Sequence, residues 1–447
     1  MSVFNNQSLQ AIRGAFLDFI DDPFYTSESD SVRYISDGLL IIENGAIADF
    51  GTYNDLRSQY AHIPTTTYPD RLIMPGFIDT HIHYSQYEMI AAYGEQLLEW
   101  LSKYVFPTEK KFKDKAHAEK IATLFFDELL KQGTTTALVF ATVHPESVDA
   151  FFEEASRRNL RMISGKVLMD RNAPDYLIDT PETAYEDSKR LIEKWHKNGR
   201  LLYAVTPRFA PTSTPEQLHI AAKLLQEFPD VYMQTHISEN KKEVAWVAEL
   251  FPESQGYLDV YDRAGLVGEK SIFAHGVHLT DAEFKRLSNA KSAIAFCPTS
   301  NLFLGSGLFK LAQAKTGEYP VKVGFGTDVG AGTSFSILHT AHEAYKVAQL
   351  QGESLSAFNA LYLATLGGAK ALSLDDKIGN FNPGKEADFI VLDPKATTLM
   401  ATRNQGSAAQ SLEELAQKVF GLMMLGDDRA VQAVYIAGEL AHSLATV

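Results

Sequence analysis

Cysteine is almost missing: Cys297 is the only one in 447 residues. That excludes an intrachain disulfide and a cysteine-built metal cluster, and with them the disulfide frameworks of small secreted scaffolds. Basic residues are in deficit, 41 Lys and Arg against 56 Asp and Glu, for a formal charge of −15. A chain of that sign repels a phosphate backbone, so no nucleic-acid partner is expected. No stretch approaches the ~18 uninterrupted apolar residues of a membrane span. The opening residues lack a basic region followed by an apolar run and a small-residue cleavage site. These absences lead to the expectation of a soluble, cytoplasmic protein with no membrane partner. Phosphate-loop signatures are missing too, and Gly324-Phe-Gly326 does not open a dinucleotide fingerprint.

What is present reads as a folded globular chain. Hydrophobic residues make up 45% and charged residues 22%, and 27 Phe and 19 Tyr are spread throughout, so disorder is excluded. The pattern changes along the chain. Residues 8–74 are β-rich, with short apolar runs at Ala15–Ile20, Gly38–Ile42 and Ala46–Phe50. Asn44-Gly45 between the last two is a hairpin signal. Strand-like patterns return at 378–393 and 430–442. Between the β-rich ends, apolar runs near 75–83, 134–140, 161–168, 201–209, 231–238, 271–278, 293–297 and 321–327 alternate with helical stretches. In one such stretch Ile121, Leu124, Phe125 and Leu129 share a face, with Gly133 as a stop; in another Thr280 and Glu283 have the spacing of a capping box. Strand–helix alternation implies a parallel sheet. Eight such units match the size of an α/β protein of the (β/α)8 TIM-like barrel type. An open doubly wound sheet is the alternative. The barrel is favoured because polar residues collect at the C-terminal ends of many strands rather than at one switch point.

Those strand ends carry the chemistry. The first closes on His81-Ile-His83, where residues i and i+2 face the same way and can offer two imidazoles to one ion. The fifth closes on His236, with Glu239 three residues on; the sixth gives His275-Gly-Val-His278; the eighth runs into Asp328. Imidazole nitrogen and carboxylate oxygen suit Zn2+ or Fe2+. A carboxylate at Glu239, where the βα loops build the site, has the position of a general base and acid. Arg208, at the end of the fourth strand, offers a bidentate guanidinium fork for a pair of adjacent acceptors. Gln86 offers a donor and an acceptor, and Phe209 and Trp100 offer apolar or stacking surface for a flat ring.

In this order on a barrel, His81, His83, His236, His275 and Asp328 resemble the amidohydrolase superfamily. The strings Ile82-His-Tyr-Ser-Gln86, Leu97-Leu-Glu-Trp-Leu101, Phe106-Pro-Thr-Glu109, Pro207-Arg-Phe209, His236-Ile-Ser-Glu239 and Cys297-Pro-Thr-Ser-Asn301 are similar to its guanine-deaminating branch. The resemblance implies a catalytic barrel over 75–377 and a small β-sandwich shared between 1–74 and 378–447, with Ile378–Leu392 as a strand pair. It implies hydrolysis of guanine to xanthine and ammonia, with His81, His83, His236 and Asp328 holding one Zn2+ per chain; Fe2+ would be served by the same ligands. Glu239 would carry a proton from water to the ring nitrogen beside C2, and His275 would bond the attacking water or the developing oxyanion. Asp328 would take the second proton. Gln86, Trp100, Arg208, Phe209 and Glu239 would contact the substrate, and the chain would pair as a homodimer. Relatives with two metals need a lysine at the fourth strand end, and here that position reads Ala204-Val-Thr-Pro-Arg208. Lys166, on the third run, is a poor substitute. Open alternatives are a deaminase for another aminated ring, such as 8-oxoguanine or a pterin, and a non-catalytic binding protein.

Overall fold

The computed structural model describes residues 9–406 and 408–444. At its centre are eight parallel strands: Phe77–His83, Thr134–Phe140, Arg161–Gly165, Leu202–Pro207, Tyr232–Ile237, Ser271–His275, Ala293–Phe296 and Lys322–Phe325. They pair in chain order, and Val167–Leu168 continues the third beside the fourth. Almost every residue in them is buried, as expected of strands covered on both faces. Hydrogen bonds close the seam between the eighth strand and the first. Thr80 Oγ1 donates to the Phe325 carbonyl at 2.9 Å, and Asp328 N donates to the His81 carbonyl at 2.9 Å. The barrel interior is filled by Ile78, Leu138, Ile163, Ala204, Ile272 and Ala295. Leu372 and Ile378 close its lower end, where Tyr232 donates its hydroxyl to the Leu372 carbonyl at 2.8 Å.

Helices cover the barrel outside. The helix Lys115–Lys131 starts where the Asp114 side chain accepts from Ala116 N at 3.1 Å, and it buries Ile121, Phe125 and Leu129. Leu124, expected on that face, is instead 38% exposed. Its place one residue before Phe125 turns it toward the flank of the helix, a rotation that spacing alone reads poorly. The Thr280–Glu283 capping box forms as anticipated.

Strands from both chain ends build a second, seven-stranded sheet. Its spatial order is Glu439–Ser443, Val431–Ile436, Phe389–Leu392, Thr65–Pro75, Gln10–Phe19, Val32–Glu43 and Ala46–Thr52. Asn44 and Gly45, at φ 52° and 80°, form the tight turn between the last two strands, the left-handed pair that a two-residue hairpin requires. Within Ile378–Leu392 only Phe389–Leu392 is a strand, and its partners are Thr65–Pro75 and Val431–Ile436. The expected strand pair is therefore not formed inside that segment. Asn380 bonds the distant Phe19 carbonyl and Glu386 the distant Arg161, while Lys385 Nζ donates back to the Ile378 carbonyl at 3.2 Å.

Charge ties this sheet to the barrel. Arg161 of the third strand and Arg200, just before the fourth, both grip Glu386, with Arg161 Nε at 2.7 Å and Arg200 Nη2 at 2.6 Å from Oε2; Arg200 also pairs with Asp388. Both arginine side chains are about nine-tenths buried. Glu386→Ala should therefore leave two largely buried guanidiniums short of their partner, at a cost of about 3 kcal/mol. Scanning calorimetry should show a Tm lower by several degrees, and Glu386→Gln should fall between that variant and the parent.

Candidate active site

The upper rim of the barrel brings the predicted ligands together. Ligand atoms of His81, His236, His275 and Asp328 all lie within 4.8 Å of one another. His83 joins through Nε2, 3.2 Å from His236 Nε2 and 3.2 Å from Asp328 Oδ1, and His81 Nε2 is also 3.2 Å from Asp328 Oδ1. Backbone alternation along Phe77–His83 puts both imidazoles on the inner side. His236 is aimed by its other nitrogen, Nδ1, which donates to the Arg208 carbonyl at 2.7 Å. His275 is aimed in the same way by Nδ1, which donates to Asn301 Oδ1 at 2.9 Å. Such outer partners fix the tautomer and leave the inner nitrogen as a lone pair.

The electrostatics agree with a cation site. Burial lowers His81 to about 4, lowers His83, and takes His236 well below the usual histidine range with help from its imidazole neighbours. Burial alone would raise Asp328, but His81, His83 and His275 hold it well below the ordinary carboxylate range. His81, His83 and His236 are thus neutral imidazoles beside an ionised Asp328, the protonation state that metal ligation requires, whereas Glu239 and Asp328 raise His275 against its burial. His81 Nε2, His83 Nδ1 and His275 Nε2 are buried without a hydrogen-bond partner. Two imidazole Nε2 atoms facing each other at 3.2 Å leave lone pairs that only a proton or a cation can reconcile. The donor set therefore fits a single divalent ion.

Backbone strain accompanies these side chains. His275, Asp328 and Ser238 have φ of 75°, 50° and 48°, a region non-glycine residues seldom occupy. Each sits where a strand gives way to the loop bearing a functional group, the pattern of strain held by surrounding structure. Asp79 does part of the holding. Its buried carboxylate accepts from His81 N and Thr327 N, both at 3.1 Å, and from Thr327 Oγ1, tying the first strand to the loop after the eighth. Burial pushes its carboxyl up to about 7 against those bonds.

Glu239 stands beside the cluster, with Oε2 3.5 Å from His275 Nε2 and Oε1 accepting from Ser306 Oγ at 3.1 Å. Burial raises it to about 7. Its backbone is pinned by Glu243, whose Oε2 accepts from Glu239 N at 2.8 Å and Asn240 N at 3.0 Å, while Tyr257 donates to Oε1 at 2.7 Å. Gln86, Trp100, Arg208 and Phe209 line the same pocket, together with Leu97, Leu101 and Leu304. Arg208 Nη1 donates to both oxygens of Glu109, at 3.0 and 2.9 Å. The pocket leaves about 30 Å3 free, and Leu97, Trp100 and Leu101 form one wall of it. That wall includes a π-helical turn at Leu101–Val105, an irregularity frequent at functional sites.

Several participants escaped the sequence reading. Glu109 and Asn301 lay inside singled-out strings but had no role assigned; Glu243, Ser306 and Asp79 gave no signal beyond a capping-box spacing at Asn240–Glu243. Lys166 is buried and paired with Asp179, away from the rim ligands. Cys297 is a buried packing residue behind His81, where burial pushes its thiol up. A second group, His339, His342 and Glu343, lies partly exposed on the helix Ile337–Leu350, with Glu343 held by Lys346 at 3.0 Å.

Comparison with known proteins bears on the same residues. The chain is 56% identical over 442 residues to the guanine deaminase of Escherichia coli (strain K12), covering 97% of this chain and 98% of that one. A solved structure of E. coli guanine deaminase superposes with a TM-score of 0.93 at 54% identity, covering 98% of this chain and all of that one. A guanine deaminase from C. acetobutylicum, solved with guanine in its active site, superposes with a TM-score of 0.86 at 29% identity, over 97% of this chain and 99% of that one. The Amidohydrolase family model matches residues 72–441, which span every strand end described above. A closed parallel barrel with imidazoles and an aspartate on its rim, matched along nearly its whole length by such relatives, belongs to the amidohydrolase family.

Proposed function

We propose that the protein hydrolyses guanine to xanthine and ammonia as a cytoplasmic homodimer, with one Zn2+ or Fe2+ per chain held by His81, His83, His236 and Asp328. The observation that carries this reading is the convergence of proton-free imidazoles and an ionised Asp328 beside Glu239 in a pocket that also presents Arg208. The likeness to guanine deaminases over the full chain supports the choice of ring. A divalent cation held by these residues would act as a Lewis acid and make water nucleophilic near neutral pH.

The chain's own groups do the rest. Arg208 donates its remaining N–H groups to the O6 and N7 acceptors of the ring, and Gln86 fixes the ring edge. Phe209, Leu97 and Trp100 enclose the apolar faces and exclude bulk water. Glu239 accepts a proton from the attacking water as oxygen bonds to C2, and delivers it to the adjacent ring nitrogen. His275, aimed by Asn301, stabilises the oxygen that forms. Asp328 takes the second proton and passes it toward the amino group; the C2–N bond then breaks and ammonia leaves. A proton carrier works best with a pKa near the working pH, and burial has brought Glu239 to that range.

Five outcomes are expected. Ammonia release should be fastest with guanine in a panel that includes 8-oxoguanine, adenine, cytosine, guanosine and a pterin; turnover of another ring with guanine inert would replace the substrate. Metal titration followed by mass spectrometry should saturate the rim at one ion per chain, and His236→Ala should abolish that uptake. Glu239→Gln should keep the ion and lose about 100-fold or more in kcat, whereas Arg208→Ala should chiefly raise KM. Finally, kcat/KM should show an acid limb at or below about pH 7, because Glu239 must be ionised to accept a proton and a neighbouring cation can only lower its pKa.

A further inference from the structure

Arg208 is not a bare cation in the pocket. Its Nη1 is held by both oxygens of Glu109, at 3.0 and 2.9 Å, and the two side chains are 3% and 0% exposed. Gln86 Nε2 also donates to Glu109 Oε1 at 3.4 Å. Glu109 ends the short helix Phe106–Glu109, on the long connection between the first and second barrel strands, whereas Arg208 follows the fourth. The pair therefore joins the pocket's wall to its floor, and the Arg208 guanidinium carbon lies 5.7 Å from the Phe106 ring centre. A buried Arg–Glu contact of this kind sums to no net charge, yet the guanidinium's other edge keeps its N–H donors.

That neutrality has a chemical use if the ring is guanine. Deamination replaces the C2 amino group with a carbonyl, and xanthine is a stronger acid than guanine, losing a ring proton near neutral pH. A lone buried guanidinium facing O6 and N7 would hold the product anion more tightly than the neutral substrate. We infer that Glu109 is a positioning and specificity residue: it clamps one edge of Arg208 and cancels its charge, so that the pocket reads the ring by hydrogen bonds and releases the anionic product. The inference rests on the guanine reading of the site.

Other ionisable groups facing the pocket are His83, His236, Glu239, Glu243, His275 and Asp328; His144, outside it, also feels the Glu109 charge. All of them are the same in the parent and its Glu109 variants. Comparing variants at a single pH therefore isolates Glu109.

The experiment measures guanine kcat and KM, and xanthine inhibition constants, in metal-loaded enzyme, well below and well above the first ionisation of xanthine. Glu109→Gln keeps an acceptor for Arg208 Nη1 but removes the charge. It should tighten xanthine inhibition about tenfold above that ionisation, leave it nearly unchanged below, and raise guanine KM more than it lowers kcat. Glu109→Asp restores the charge and should show the parent's xanthine pattern. An unchanged xanthine response in Glu109→Gln, an equal shift at both pH values, or tightening in Glu109→Asp would overturn the inference. Should Glu109→Gln yield no soluble enzyme, the double variant Glu109→Gln/Arg208→Met, which removes both charges, must keep the parent's ratio of xanthine inhibition between the two pH values; a changed ratio overturns the inference. Failure of the parent enzyme to release ammonia from guanine would sink the guanine reading itself, a result distinct from any of these.

Discussion

Three lone pairs and a carboxylate aimed at one point are the constraint around which this molecule is arranged. Left to themselves, His81, His83 and His236 would turn apart or take up protons, since imidazole nitrogens at 3.2 Å have no reason to face each other. The barrel prevents both responses. Burial removes the water that would stabilise an imidazolium, and hydrogen bonds to backbone and side chains hold the rings in place. What remains is a concentration of unbalanced electron density that a divalent ion relieves. The cost of arranging these groups is met by the folding of the barrel, so a divalent ion would meet them already in place.

The same burial that disarms the histidines arms Glu239. A carboxylate taken out of water prefers to carry its proton, and Glu239 is brought to about 7 while Asp328, close by, stays ionised against its histidines. Two acidic side chains a few ångströms from the same His275 are thus driven in opposite directions by what surrounds each. Divergent pKa values in a shared pocket give the two carboxylates different protonation at the same pH. Glu243 supports this division from behind, holding the loop that carries Glu239 by its backbone rather than by its carboxylate.

The barrel and the convergence of polar strand ends at its rim were legible in the sequence for a simple physical reason. Strands buried on both faces must be continuous apolar runs, and a polar residue ending such a run has few reasons to be there apart from chemistry. His81, His83, His236, His275 and Asp328 each stand in that position, and the family resemblance ordered them. What escaped reading depends on contacts between segments far apart in the chain. The Glu109–Arg208 pair joins residues separated by 99 positions, and Asn301 reaches His275 across 26. Spacing cannot reveal such meetings. Nor can it reveal that His275 and Asp328 adopt positive φ, because neither is a glycine and nothing local prefers that geometry. Leu124 and the segment 378–388 failed for the opposite reason: local pattern suggested burial or strand, and tertiary packing assigned those positions elsewhere.

Strain and unmet hydrogen bonds occur at both ends of the barrel, with positive φ at Asn159, Lys197 and Lys291 before the strands and at Ser238, His275 and Asp328 after them, but at the rim they adjoin the pocket. At the lower end, Tyr232 reaches the Leu372 carbonyl and apolar side chains fill the opening. At the rim, His81 Nε2, His83 Nδ1, His275 Nε2 and Trp100 Nε1 are buried without partners, and three backbone positions sit in a rarely used region. A fold that minimised its own energy everywhere would satisfy these groups with one another. Their persistence means that the seam bonds at Thr80 and Asp79, and the packing beneath them, are strong enough to hold the rim in a conformation it would not choose alone. Groups left unsatisfied by the protein are the ones a metal ion, a water molecule or a flat polar ring can satisfy. The orphaned Trp100 indole N–H belongs with them, on the wall of the same pocket, where a polar ring could accept from it.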